Sequence, residues 1–165
     1  MLIASRAQNV IACALLCFRQ NTTANLYHAS KILNKQIELF PEEVIQFVGY
    51  SCKKAEANLN IILNHLHSPP VLKLLCNLLC DNRIIQINPN ETEFSQSKIE
   101  NYIRLKSKFF ITLSEYNIMG KIFHHITGEE FSIDHRTAAA ELLAYVIDKW
   151  NGDEICMSFF IVEYF

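Results

Sequence analysis

The chain has 165 residues and a formal net charge of −2. That length suits one domain, and the charge excludes the electrostatic attraction behind nonspecific nucleic-acid binding. Half of the residues are apolar, 19% are charged, and only four glycines and four prolines occur, so long helices are expected rather than a turn-rich β-sandwich.

Apolar residues recur every three or four positions along most of the chain, which is the pattern of one buried helix face. In the second predicted helix, for example, Leu26, Ala29, Leu33 and Ile37 fall on one side. No apolar stretch reaches the length of about 18 residues that a membrane span needs, so no membrane contact is expected. The predicted helices cover residues 5–18, 23–39, 41–48, 55–67, 69–80, 97–113, 114–127 and 134–150.

Proline, glycine and small polar residues mark the helix boundaries. Pro41 suits the first position of a helix, because proline lacks the N–H that would be unpaired there. Ser114 is predicted to interrupt one helix and cap the next, and Ser132 or Asp134 to cap the last. Gly128 is predicted to stop the helix before that cap.

Two segments lack a helical pattern. Residues 84–94 contain Pro89 and several polar side chains and are predicted to form a loop. Residues 154–165 are rich in β-branched and aromatic residues, which favours a strand. The predicted organisation is therefore a helical domain over residues 1–150 and an atypical apolar tail over residues 151–165.

Short turns join the predicted helices into successive pairs. Each pair would bury one face on its neighbour, as in α-solenoids of the HEAT or armadillo type. The predicted fold is all-α, an α-solenoid of helix pairs that forms part of a longer array, and a compact helical bundle is the alternative. An array that ends abruptly exposes apolar surface, so self-association is expected when the chain is expressed alone.

The six cysteines are even in number, which permits a disulfide framework. Four of them form i,i+4 pairs, Cys13 with Cys17 and Cys76 with Cys80, and a bridge between successive turns of one helix has poor geometry. Reduced core cysteines are therefore predicted, in the cytoplasm and also in the nucleus. A small secreted helical factor with disulfides is the alternative.

Histidine pairs are the main candidates for metal or catalytic chemistry. On a helix, His65 and His67 would point about 200° apart and could not share a metal ion, and the neighbours His124 and His125 diverge likewise. No glycine-rich phosphate loop and no nucleophile elbow occurs. A Cys/His pair distant in sequence stays open. No enzymatic activity, metal or cofactor is predicted.

Asp134, His135 and Arg136 open the last predicted helix at a turn that is expected to be exposed. Such turns often contact partners. These three residues are therefore the predicted partner-binding site, and a solvated helix start is the alternative interpretation.

Three blocks of the sequence follow one another in a recognisable order. The first contains Ala29-Ser30-Lys31 and then Glu-Val-Ile-Gln-Phe at 43–47. The second runs over 59–79 and contains Ile-Ile-Leu-Asn-His-Leu and Leu-Lys-Leu-Leu-Cys-Asn-Leu-Leu. The third leads from Asn117 into the helix at 134–147. Over residues 26–148 this pattern resembles the SAPS-domain proteins, which are regulatory subunits of the Sit4-like serine/threonine phosphatase, protein phosphatase 6.

The resemblance implies a non-catalytic subunit that binds a serine/threonine phosphatase catalytic subunit and directs it to substrates. It also implies ankyrin-repeat scaffold proteins as further partners, and no nucleic acid or membrane. The turn at Ser68-Pro69-Pro70 and the tail from Asn151 depart from the family pattern. An unrelated helical adaptor, or a viral-type helical bundle that binds a partner helix in a groove, is the alternative function.

Overall fold

A computed structural model describes residues 2–19, 23–49, 51–80 and 93–150. This part of the chain is all-α and contains no strand, which confirms the all-α class that the sequence predicts. The strand expected at 154–165 and most of the loop expected at 84–94 lie outside the described residues. The described helices are α1 Leu2–Arg19, α2 Thr23–Leu39, α3 Pro41–Gly49, α4 Cys52–Leu63, α5 Pro69–Cys80, α6 Glu93–Glu115, α7 Ile118–Thr127 and α8 Ile133–Trp150.

Helix starts follow the local chemistry of the chain. Pro41 is the first residue of α3, as predicted. The Ser51 hydroxyl caps α4 by accepting a hydrogen bond from the Lys54 amide at 3.4 Å. The prediction that Ser114 caps α7 is wrong: α6 continues through Ser114, and Asn117 is the cap, with a left-handed backbone (φ 55°). Asparagine adopts this conformation more readily than most residues because its side chain bonds locally.

Several predicted helix limits are shifted in the structure, and two of these shifts have a clear local cause. The fourth helix ends at Leu63 rather than His67, because the amides of His65 and Leu66 bond carbonyls three residues back and tighten the chain into a turn. The sixth begins at Glu93 rather than near Ser95 or Ser97. Polar residues there hid the helical pattern, since it depends on apolar spacing.

Helices three apart in the chain pack on one another: α1 on α4, α2 on α5, α3 on α6, and α5 on α8. α5 therefore lies between α2 and α8, and its side chains Val71, Leu74, Leu75 and Leu79 are at most 1% exposed. Burial of four aliphatic side chains to this degree stabilises the fold by roughly 6–12 kcal/mol before conformational entropy is counted.

Polar side chains tie the same helices together. Asn77 of α5 donates from Nδ2 to Asn34 Oδ1 of α2 at 2.7 Å. The Trp150 indole N–H of α8 donates to the Leu79 carbonyl of α5 at 3.1 Å, and its ring meets Phe110 edge-on. Because buried donors are costly to leave unpaired, these bonds fix the register of the stacked helices.

Tyr116 follows α6 and closes a contact between α6 and α4, because its buried hydroxyl donates to Asn60 Oδ1. Burial, with Glu56 and Cys52 nearby, raises the pKa of Tyr116 to about 12, so the hydroxyl keeps its proton at neutral pH.

We expect Tyr116→Phe to lower the free energy of unfolding by about 1 kcal/mol, since it removes one hydrogen bond and keeps the ring. Urea unfolding followed by the fluorescence of Trp150, the single tryptophan, measures this. An unchanged midpoint would show that the bond contributes nothing.

Candidate functional site

The connection between α7 and α8 is held by backbone and side-chain hydrogen bonds. The Gly128 amide bonds the His124 carbonyl at 2.8 Å and ends α7, as predicted. The Ser132 hydroxyl then accepts a hydrogen bond from the His135 amide at 3.2 Å and starts α8. Of the two predicted caps, Ser132 rather than Asp134 makes this bond. The connection therefore presents its side chains from a defined backbone.

The three predicted partner-binding residues differ in their exposure to solvent in the structure. Asp134 is exposed and Arg136 is half-buried, but His135 is only 4% exposed. The expectation that this whole turn is exposed is therefore wrong for His135. The cause is a buried partner ten residues earlier, His125 of α7, whose Nδ1 lies 2.8 Å from His135 Nε2. A contact between two helices leaves no mark in the pattern of either one alone.

His125 and His135 form a neutral hydrogen-bonded pair. One ring nitrogen carries the proton and donates, and the other accepts. The Phe131 ring lies 4.4 Å from the His125 ring and 4.6 Å from the His135 ring, centroid to centroid, and shields both from water. Burial is the largest of the effects that lower the pKa of His125 to about 4; the neighbouring His135 and His124 contribute to the lowering, and Glu130 opposes it. Burial also lowers the pKa of His135, with contributions from His67 and His65.

The pair extends into a longer row of aromatic rings. The ring centroids of His135 and His67 are 5.9 Å apart, those of His67 and His65 are 6.2 Å apart, and those of His65 and Phe18 are 6.0 Å apart. His65 Nε2 also lies 2.9 Å from the Phe18 carbonyl oxygen, a distance at which the ring N–H donates. We call His65, His67, His125 and His135 the histidine row.

The histidine row joins the end of α1, the turn after α4 and the start of α8 along one side of the molecule. This corrects the expectation that His65 and His67 diverge on a helix, because residues 64–67 form a turn. Among the described residues, no group of three His, Cys, Asp or Glu side chains has a geometry that would hold a metal ion. The lowered pKa values of His125 and His135 keep both of these rings neutral at neutral pH, so the pair can donate and accept a hydrogen bond without carrying charge.

Exposed apolar side chains flank the same connection. Ile133, the first residue of α8, is 73% exposed, and Phe123 of α7 is 59% exposed. Phe123 lies outside the buried face of α7, where Ile122 and His125 take the buried positions. With exposed Glu129 beside them, these residues combine apolar contact area with negative charge. We call Phe123, Glu129, Ile133 and Asp134 the connection edge.

A second exposed apolar surface lies on α1 and α2, at the opposite end of the line formed by α2, α5 and α8. α1 and α2 enclose an open groove of about 350 Å³. Most of its lining is apolar, including Val10 of α1 and Ile32 of α2, which are 41% and 42% exposed. The full lining is Asn9, Val10, Cys13, Ala14, Cys17, His28, Ala29 and Ile32.

The cysteines in the described part of the chain are reduced thiols and form no disulfide bonds with one another. The prediction that they lie in the core holds for Cys80 but not for Cys13, which is exposed. Burial raises the pKa of the half-buried Cys76 thiol, which keeps this sulfur protonated at neutral pH. Cys156 lies outside the described residues. None of the described helices combines the length and apolar character needed to cross a membrane.

No protein-family model, no curated protein and no solved structure matches the chain.

Proposed function

We propose that the chain is a non-catalytic helical scaffold that binds a protein partner at the connection edge. The observation that carries the proposal is the exposure of Ile133 and Phe123, at 73% and 59%, on either side of a hydrogen-bonded turn. Large apolar side chains held at such exposure on a rigid backbone are typical of protein-binding surfaces. The acidic Asp134 and Glu129 beside them favour a partner with basic residues around an apolar centre.

The packing of helices three apart supports an array for this scaffold. If α1–α3 form one unit and α4–α6 the next, each helix of the second unit lies on its counterpart in the first, and α8 continues the line through α2 and α5. A period of three helices is the armadillo arrangement, whereas the sequence suggested helix pairs. Repeat arrays of this kind use long open surfaces for partners.

On the basis of the resemblance to SAPS-domain proteins, we propose that the partner is the catalytic subunit of a serine/threonine phosphatase, which the chain binds in the cytoplasm. In that role the chain supplies binding surface, and the phosphatase supplies the catalytic groups. A helical adaptor that binds an unrelated partner at the same edge is the alternative, and the identity of the captured protein separates the two.

The test is affinity capture from cell extract with the full chain as bait. Wild type is expected to recover a serine/threonine phosphatase catalytic subunit. Phe123→Glu combined with Ile133→Glu is expected to lower that recovery at least about tenfold, as for loss of a binding hot spot. The matched control is Ile111→Glu, because Ile111 is 44% exposed on α6.

Two results would contradict the proposal. If the folded wild-type bait recovers no phosphatase subunit, the partner is wrong. If the double variant recovers as much phosphatase as wild type and the Ile111→Glu control, the connection edge is not the binding surface. Circular dichroism of each bait establishes that all of them are equally helical.

A further inference from the structure

The two ends of the line formed by α2, α5 and α8 carry exposed apolar surface of different charge. α1 and α2 contain four basic residues and one acidic residue, a net charge of +3. Residues 118–150, which include α7 and α8, contain five acidic and three basic residues, a net charge of −2. Opposite charge on two faces of one chain favours contact between copies.

The basic end is the groove between α1 and α2. Lys31 and Lys35 stand exposed on α2 beside the apolar groove residue Ile32. Lys31 lies over the Tyr27 ring at 4.4 Å, and Lys35 pairs with Glu38 at 2.8 Å. Exposed pairs of this kind are weak, so both ammonium groups remain able to meet a carboxylate. We call the groove lining with Lys31 and Lys35 the head face.

The acidic end is the exposed side of α8. The core positions of α8 are His135, Ala139, Leu142, Val146 and Trp150, and a helix places residues 137, 140, 144 and 147 together in a stripe outside that buried face. These are Thr137, Ala140, Ala144 and Ile147, all exposed. Exposed Glu141 and Asp148 border them. We call these six residues the tail face.

We propose that the tail face of one copy packs against the head face of a second copy. The occupant of the groove is then α8 of the neighbour, whose small side chains let two helices approach closely and whose Ile147 fills apolar space near Ile32. Glu141 and Asp148 meet Lys31 and Lys35. α2 of the second copy lies on α8 of the first, so the line of α2, α5 and α8 continues across the junction.

The two faces differ, so this contact is head-to-tail and leaves a free face at each end. Contacts of this kind build open chains unless the rotation closes a ring. The tail face lies on the same side of α8 as Ile133 of the connection edge, one turn further along the helix, but the assembly does not depend on a phosphatase partner.

Sedimentation velocity over a concentration series tests the proposal. Wild type is expected to exceed the 19.0 kDa monomer mass and to grow with concentration. Ile32→Glu on the head face and Ile147→Glu on the tail face are each expected to give monomers, because each buries a carboxylate at the junction. Ile111→Glu, at 44% exposure against 42% and 47% for the two test positions, is the matched control and keeps wild-type association.

Sedimentation of a mixture of the two variants is the decisive experiment. The Ile147→Glu copy keeps an intact head face and the Ile32→Glu copy keeps an intact tail face, so the mixture is expected to form a dimer and nothing larger. The proposal is overturned if wild type stays monomeric throughout, if either variant associates as wild type does, or if the mixture stays monomeric. A mixture that forms chains longer than two would also overturn it.

Discussion

Replacing Gly49 by alanine is expected to lower the free energy of unfolding by at least about 2 kcal/mol, although alanine favours helices by up to about 1 kcal/mol over glycine. Gly49 is the last residue of α3, where α3 packs on α6. A Cβ at this position would lie 2.1 Å from Phe109 Cε2 and 2.4 Å from Cδ2. Phe109 is 2% exposed, so its ring has little room to move. Overpacking of this kind costs about 1–3 kcal/mol and sometimes more.

A double-mutant cycle separates this contact from a general effect of alanine. Phe109→Leu alone is expected to lose packing energy, but in that background Gly49→Ala should cost less than half of its value in wild type, because the ring atoms it meets are gone. Urea unfolding of the four proteins measures the coupling. Strictly additive losses, or stabilisation by Gly49→Ala alone, would mean that α3 and α6 do not approach this closely.

Acidification is expected to destabilise the fold through His125. The pKa of this group is lowered from about 6.5 in the unfolded chain to about 4 in the folded protein, so the folded state favours the neutral ring. Above about pH 7 the His125 ring is neutral in both the folded and the unfolded state, so the full stability of the fold is present. As the pH falls from 6.5 to 4, the unfolded chain binds a proton that the folded protein does not, and the free energy of unfolding decreases. The expected loss is on the order of 3 kcal/mol, at about 1.4 kcal/mol for each unit of pKa.

The variant His125→Gln isolates this effect from the titration of carboxylates. It is expected to be less stable than wild type at pH 7.5 and to lose less stability than wild type between pH 6.5 and 4. His28→Gln is the matched control, because His28 is exposed on α2. Urea midpoints at several pH values report both differences. Parallel pH profiles for wild type and His125→Gln would show that the buried histidine pair does not control the response.

Most of the local structure could be predicted from the sequence because helices leave local signals. The spacing of Leu26, Leu33 and Ile37 marks the buried face of α2, and all three are at most 5% exposed. Pro41 marks the start of α3 as predicted. These features depend on residues within one or two turns of each other, where periodicity and capping act.

The arrangement between helices could not be predicted in the same way. The stacking of α2 on α5 depends on contacts such as Asn34 with Asn77, 43 residues apart, which no local pattern encodes. The His125–His135 pair is likewise a contact between helices, and it buries a residue whose position at a helix start favoured exposure. Of the predicted site residues, Asp134 is exposed as expected. The sequence did not indicate that the apolar residues Phe123 and Ile133 beside it are exposed as well.

The central claim is that helices three apart stack so that the end of α1, the turn after α4 and the connection after α7 lie along one side and present the connection edge. Nuclear Overhauser contacts between aromatic protons test this most directly, because Phe18 with His65 and His67 with His135 bridge three separate units at ring distances of 6.0 and 5.9 Å. Cross-peaks between both pairs are the expected result. A folded, helical sample in which neither pair gives a cross-peak would contradict the stacked arrangement and the edge that depends on it.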